Sequence, residues 1–479
     1  MYKNILLLLL FFCSIAVLGQ KKAKFSAQQI HQDMALLKKN FEQLHPAMYY
    51  YTSQESYQHL YDSLYNSVND SITYFEAFHK IAPLVIAIKD GHTSVSNAKN
   101  TYGKTPPFIP FYLKKVNTDY YILYNCSNDS TILRGSKIIA IDKMPIDEIN
   151  KKIGTLVSRD NNNQSSVNYY TNQAFNVFYM KYFGKKDSIL LDYQPYGEDT
   201  VISKIVKCIP IKQINKNLKS RYKWAIRSNL SLKLVDTVQR VAILNITSFS
   251  ASGKFLDLGN WKFKRLIHKQ FANINKSNIK HLIIDVRGNG GGFIPNISRL
   301  MKYLSPSPFD ITDSIKFRAR AFKKIARPIW LGLPPLALKL IFPKQENGWY
   351  YRVSKNKKKF KPNEKLGYRG NLYFLMNGGS YSATTFTLAL AKDLGIGTFI
   401  GEQPGGANWG SFAVNWYDYK LPNTKIRIHQ PLFKITHNLP NNRCKTEFLE
   451  PDYLLGKPLS DFGNKHDNYI DFTLDLIGK

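Results

Sequence analysis

Two apolar runs set the frame for this chain. His281–Val286 ends in Arg287-Gly288-Asn289-Gly290-Gly291-Gly292, and Leu372–Met376 ends in Asn377-Gly378-Gly379-Ser380-Tyr381-Ser382-Ala383. Each polar, glycine-rich turn passes into a helical pattern, at Asn296–Leu304 and at 382–394. Strands bounded by helices, with polar turns at their carboxyl ends, predict an α/β fold with a partly parallel sheet and a site along that edge. Val241–Ile246, a helix near 260–272 and the short strand Gly397–Ile400 carry the same rhythm across about 235–460.

The rest of the 479 residues exceeds one ordinary core, so two or three domains are expected. Ser26 and Gln29 have the spacing of a capping box, and Ile30, Met34, Leu37, Phe41 and Leu44 follow at steps of three and four. Helical patterns recur at about 53–67 and 73–88, the latter opened by Thr73 and Glu76 and running into Asp90-Gly91-His92-Thr93. Residues 20–100 are therefore expected to form a small helical domain that presents a polar turn. From 105 to 210 short β-rich runs take over, at Tyr120–Tyr124, Lys137–Ile141 and Ser188–Tyr193, with a short helix at Pro145–Ile153. Residues 461–479 are expected to be a strand or tail.

The chain opens with Lys3 and an apolar run over 5–18, with Val17 and Gly19 at the positions of a cleavage pair. This predicts a signal peptide over 1–19 and an exported protein, periplasmic, outer-membrane-associated or extracellular. A retained anchor is the rival, although a bilayer span needs about 20 apolar residues. A lipid-modified Cys13 is a further alternative. Past the cleavage point stand Cys126, Cys208 and Cys444, which follow no metal-ligand spacing and allow at most one internal disulfide. No metal or organic cofactor is expected.

The formal charge is +33, from 67 basic and 34 acidic residues, and segment 314–365 alone carries a net +13. Such a field favours anionic surfaces. The segment includes Trp330 and Leu331, while Pro328, Pro334 and Pro335 argue against one spanning helix. It is expected either to pack as a flap over the α/β core or to face an anionic membrane. Nucleic acid is not an expected partner, because no recognition fold for it appears.

A serine at a strand-to-helix turn, such as Ser382, can present its hydroxyl above the sheet edge, with the Ala383 N–H facing the same space. That geometry suits acyl transfer, but serine is also an ordinary helix cap. Glycines in 288–292 allow close backbone approach, and their N–H groups suit an oxyanion. The run lacks the Gly-Lys-Ser/Thr ending of a P-loop and the GxGxxG spacing of a nucleotide fold.

With these pieces in place, the chain resembles the S41-type serine peptidases, the tail-specific, C-terminal-processing and tricorn-like proteases. The resemblance rests on IKDGHTS at 88–94, RGSKIIAID at 134–142, LIIDVRGNGGG at 282–292, NGGSYSATTF at 377–386, GEQPGG at 401–406 and LEPD at 449–452, in family order. It implies a crotonase/Clp-protease-like core and a PDZ-like middle domain over 105–210, whose turn Leu133-Arg134-Gly135-Ser136 would receive a peptide carboxylate. It also implies Ser382 as nucleophile, with an oxyanion hole from Gly290 or Gly291 and the backbone of Ala383.

The departures select the branch. Tail-specific members carry a lysine base where this chain has Ala407, and often a glutamate where it has Thr385. The tricorn-like branch uses an upstream histidine and a downstream acid, which match His92 and Glu450, with Glu447 as the alternative acid. Asp90 and Asp452 are expected to support turns. A serine hydroxyl needs a base at neutral pH, and an imidazole can both take and return its proton. The expected function is an exported serine peptidase acting on peptides or proteins. The alternatives are a noncatalytic peptide-binding scaffold and, with less support, an acyl-CoA enzyme.

Overall fold

The computed structural model describes residues 24–99, 101–250, 260–325, 341–345, 348–353, 359–456 and 467–478. The signal peptide expected over 1–19 lies outside them, as do Pro328, Trp330, Leu331, Pro334 and Pro335.

Three helices, Ala27–Leu44, Gln54–Asn66 and Tyr74–Ile86, build the N-terminal region. Two of them open with complete capping boxes, Ser26 with Gln29 and Thr73 with Glu76, which satisfy backbone N–H groups that a helix start leaves unpaired. The stripe Ile30, Met34, Leu37 and Phe41 is fully buried against Phe78, Ile81 and Val85 of the third helix. The same core takes in Leu421, Ile426 and Ile428 from the far end of the chain. This helical region is therefore packed onto the core rather than standing apart from it.

The middle region carries an antiparallel sheet in the order Ile202–Lys207, Ser188–Gln194, Lys137–Ile141, Asp119–Asn125, Phe111–Val116. Helix Ile146–Gly154 packs on it. Two further helices, Gln164–Gln173 and Phe175–Phe183, occupy a stretch with little sequence signal. The first is mostly polar, and the second is held by burial of Phe175 and Tyr179 against the sheet.

The α/β core is a six-stranded sheet in the order Ser231–Asp236, Val241–Asn245, His281–Asp285, Asn371–Met376, Thr398–Gly401, Tyr453–Leu454. All neighbours are parallel except the first pair. Its apolar runs are nearly continuous because both faces are covered. Leu282, Ile284 and Phe374 face helices Trp261–Lys276, Pro295–Leu304 and Ala383–Asp393. Ile283, Tyr373 and Leu375 face Tyr469 and the other apolar residues of a C-terminal helix, Asn468–Gly478. The C-terminal region was expected to be a strand or tail. It is a helix over these residues because the second sheet face needs a cover.

A second sheet joins Trp349–Val353, Thr312–Arg318, Arg427–His437 and Gly410–Lys420 in that order. Within the basic segment 314–365, residues 314–318 and the strand Trp349–Val353 are thus paired, and Phe317, Phe342, Tyr350 and Phe433 are buried together. Ser94–Ser96 adds to the strand Arg427–His437 through Arg427–His429. That pairing fixes the turn just before it, which holds His92.

Candidate active site

Ser382 sits between the strand Asn371–Met376 and the helix Ala383–Asp393 with φ 57° and ψ −122°. A non-glycine residue at this φ is strained, at a cost of about 1–3 kcal/mol. Its side chain makes no capping bond to the helix. The hydroxyl is directed elsewhere: Ser382 Oγ lies 3.1 Å from His92 Nε2. The ordinary-cap reading of this serine therefore does not hold.

The glycine run is bolted to the serine turn. Tyr381 N donates to Asn289 O at 3.0 Å, and Gly288 N donates to Asn377 Oδ1 at 2.8 Å. Gly291 has φ 102°, and a β-carbon there would sit 2.8 Å from Ser382 Cβ and 2.9 Å from Ala383 N. Glycine is required by this contact as well as by its φ. The N–H of Gly291 is already spent on Asn289 Oδ1 at 2.9 Å. Among the described residues the N–H groups of Gly290 and Ala383 have no acceptor, and nothing lies within 4 Å of a β-carbon placed on Gly290. Of the two glycines expected at an oxyanion hole, Gly290 is the one with an open donor.

Asp90 organises the histidine turn. Its carboxylate accepts from the His92 N–H at 2.9 Å, from Thr93 Oγ1 at 2.5 Å and from His45 Nε2 at 3.1 Å. His45 is fully buried, and its Nδ1 accepts from Ala47 N at 3.2 Å, so its ring proton sits on Nε2 facing Asp90. Burial would raise the Asp90 pKa, but the hydrogen bond from His45, with His92 and Thr93, brings it below its ordinary value. Asp90 Oδ1 is 3.9 Å from His92 Nδ1, too far for a hydrogen bond.

The atom that meets His92 Nδ1 is the Tyr381 hydroxyl, at 3.2 Å. That hydroxyl donates to Asp160 Oδ1 at 2.8 Å. Asp160 is buried and also receives the Gly91 N–H at 2.9 Å and the Ala407 N–H at 3.2 Å. Burial and the nearby Asp90 charge push its pKa up from 3.8 to about 7, against the pull of these hydrogen bonds. The His92 side chain is 11% exposed, and burial lowers its pKa despite the opposing charge of Asp90. Its resting form at neutral pH is therefore the neutral imidazole.

The acids expected from sequence lie elsewhere. Glu450 is exposed and accepts from Gln403 Nε2 at 2.7 Å, with no hydrogen bond or ion pair to His92. Its neighbours explain this: Leu449 is buried in the core, and Asp452 is tied to Phe399 N at 2.8 Å and to Lys392, so Glu450 faces outward. Glu447 accepts from Asn161 Nδ2 at 2.7 Å and is likewise not bonded to His92. Sequence reasoning missed Asp160, His45 and the role of Tyr381. The polar run Arg159-Asp160-Asn161-Asn162-Asn163 was the available signal for the first.

Among the described residues no cluster of three His, Cys, Asp or Glu side chains is arranged to hold a metal, and Cys126, Cys208 and Cys444 are unpaired.

A serine presented at a strand-to-helix turn of a parallel sheet, with an imidazole on its hydroxyl, is the arrangement of a serine-type peptidase. The model of peptidase family S41 matches residues 240–452 of this chain. Among solved structures, mature CPAF is similar in fold, with 15% identity, a TM-score of 0.62, and 94% of this chain and 96% of that chain covered. Mature CPAF complexed with lactacystin aligns at 14% identity and a TM-score of 0.62, over 94% of this chain and 98% of that one. A photosystem II D1 C-terminal processing protease aligns at 10% identity and a TM-score of 0.43, over 89% and 93% of the two chains. No curated protein sequence matches.

Proposed function

We propose that the chain is an exported serine peptidase that cleaves peptide bonds with Ser382 as nucleophile and His92 as general base. The observation that carries this reading is the 3.1 Å contact between His92 Nε2 and a strained Ser382 hydroxyl that caps nothing. His92 removes the hydroxyl proton as Oγ attacks the carbonyl carbon. The N–H groups of Gly290 and Ala383 stabilise the oxyanion that forms, aided by the positive end of helix Ala383–Asp393. The imidazolium then returns its proton to the leaving amine, and water repeats the cycle on the acyl-enzyme. Export rests on the sequence of residues 1–19.

The core sheet with its helices supports a crotonase/Clp-like reading, and the antiparallel sheet over 111–207 supports a PDZ-like one. The turn at 133–136 is a poor carboxylate receiver, however, because Gly135 N and Ser136 N are spent on Ile122 O and Leu133 O. Peptide recognition in this domain would therefore use a strand edge rather than these two N–H groups. The net +13 segment 314–365 supports contact with anionic lipid, which binding to anionic liposomes that weakens at high salt would test.

The deciding experiment is fluorophosphonate labelling with mapping of the modified residue, alongside peptide turnover by Ser382→Ala. Labelling at Ser382 and loss of hydrolysis in a folded variant are expected. Unchanged turnover by purified Ser382→Ala would overturn the assignment.

A further inference from the structure

We propose that Tyr381 and Asp160 form the positioning chain for His92: the phenol holds the imidazole Nδ1 and the buried carboxylate holds the phenol. This rests on the Ser382–His92 reading and extends it by naming what orients the base. A Ser–His pair works only when Nε2 is free to accept the serine proton, which requires the ring proton on Nδ1.

The proton count around ionised Asp160 enforces that state. A carboxylate has no donor, so the hydroxyl 2.8 Å from Asp160 Oδ1 must point its single proton at Asp160. The Tyr381 oxygen is then left as an acceptor, 3.2 Å from His92 Nδ1. An acceptor at that atom holds the proton on Nδ1 and clears Nε2 for Ser382. If Asp160 were replaced by a side chain that cannot accept, the hydroxyl would turn its proton to Nδ1, and His92 would carry its own on Nε2, the wrong side for a base.

Among the described residues no carboxylate bonds Nδ1 directly. Asp90 stands 3.9 Å away, with its oxygens taken by His45, Thr93 and the His92 backbone. Asp160 can act through the phenol because it is the meeting point of three segments. It binds Gly91 N in the histidine turn, Tyr381 Oη beside the nucleophile and Ala407 N in the loop after Gly401. Its own turn is tied down by Asn161 N on Lys89 O at 2.9 Å and Asn163 Nδ2 on Pro404 O at 2.9 Å. Ala407, which stands where tail-specific members carry a lysine, thus serves this carboxylate through its backbone. Tyr381 directly precedes Ser382, so nucleophile and positioning residue move as one unit.

The test uses full-length protein with ¹⁵N-labelled histidine. The His92 ring of the wild type is expected to show the Nδ1–H tautomer, and that of Asp160→Ala the Nε2–H tautomer, because the phenol, with no acceptor left at residue 160, donates to Nδ1. Asp160→Ala and Tyr381→Phe should each lower kcat by at least about 10²-fold with KM nearly unchanged. If Asp160→Ala does not fold, Tyr381→Phe decides alone by the same kcat loss. The proposal is overturned if the folded Asp160→Ala protein keeps the Nδ1–H tautomer, or if Tyr381→Phe turns over within about threefold of wild type. A tautomer change with no labelling of Ser382 in the wild type would uphold the positioning chain and sink the peptidase reading instead.

Discussion

A side chain at Gly91 would collide with the Tyr381 hydroxyl. The glycine beside His92 is therefore set by the tyrosine beside Ser382, across most of the chain. Gly91→Ala must displace the phenol and break its bond to Asp160. Losing a buried hydrogen bond to a charged group costs about 1.5–3 kcal/mol. Gly91→Ala is expected to lower the melting temperature and reduce kcat at least about tenfold. Wild-type kcat in this variant would show that the phenol has room to move without consequence.

Ser382 carries backbone strain that glycine would not. Relief of about 1–3 kcal/mol competes with about 0.5–1 kcal/mol of added chain entropy in the unfolded state. Ser382→Gly is therefore expected to be inactive yet more stable by about 1 kcal/mol, read as a higher denaturant midpoint. A less stable Ser382→Gly would mean that the hydroxyl contact to His92 outweighs the strain.

In the proposed mechanism, activity needs Asp160 ionised and His92 neutral. The Asp160 pKa is raised to about 7, and that of His92 is lowered from its ordinary value of 6.5. Both requirements fail as pH falls, so log(kcat/KM) should drop with a slope of one just below pH 7 and approach two at lower pH. Asp160→Asn should leave a slope of one. The stability effect has the opposite sign. A carboxyl raised above its unfolded value favours the folded state fully below that value, and this contribution is lost as pH rises through about 7. The denaturant midpoint of the wild type should thus fall between pH 5 and 8 by more than that of Asp160→Asn.

Asp285, at the end of the strand leading to the glycine run, is 1% exposed and binds Arg287 Nη2 at 2.7 Å and Arg227 Nη1 at 2.6 Å. Arg287 also makes two bonds of 2.8 Å to Asp467. Both arginines outweigh burial and hold the Asp285 pKa well below the usual carboxylate range. Removing one partner of a buried pair leaves the other uncompensated, at a cost of about 3–5 kcal/mol. Asp285→Ala should lose that much in chemical denaturation. A loss under about 1 kcal/mol would show that Asp467 alone satisfies Arg287.

Elements with a local cause were readable from sequence. The capping boxes at Ser26 and Thr73 sit where their spacing put them, and the helices that follow bury the expected stripes. The apolar strands ending at Asp285 and Met376 stood out because a sheet covered on both faces needs unbroken apolar runs. His92 and Ser382 were visible as residue types in polar turns.

The remainder depended on contacts that no local pattern encodes. Helix Gln164–Gln173 and helix Asn468–Gly478 form where a neighbouring surface rewards them. Glu450 faces outward because Leu449 and Asp452 on either side are claimed by the core and by Phe399, which its position in a motif could not show. Asp160 and Tyr381 meet across 221 residues, and His92 and Ser382 across 290. Residue chemistry by itself determined that a serine, a base and open N–H groups were at hand. Which groups face each other, and on which nitrogen His92 holds its proton, was decided by packing the helical region, the middle region and the parallel sheet against one another, since a hydrogen bond is made only within about 3 Å.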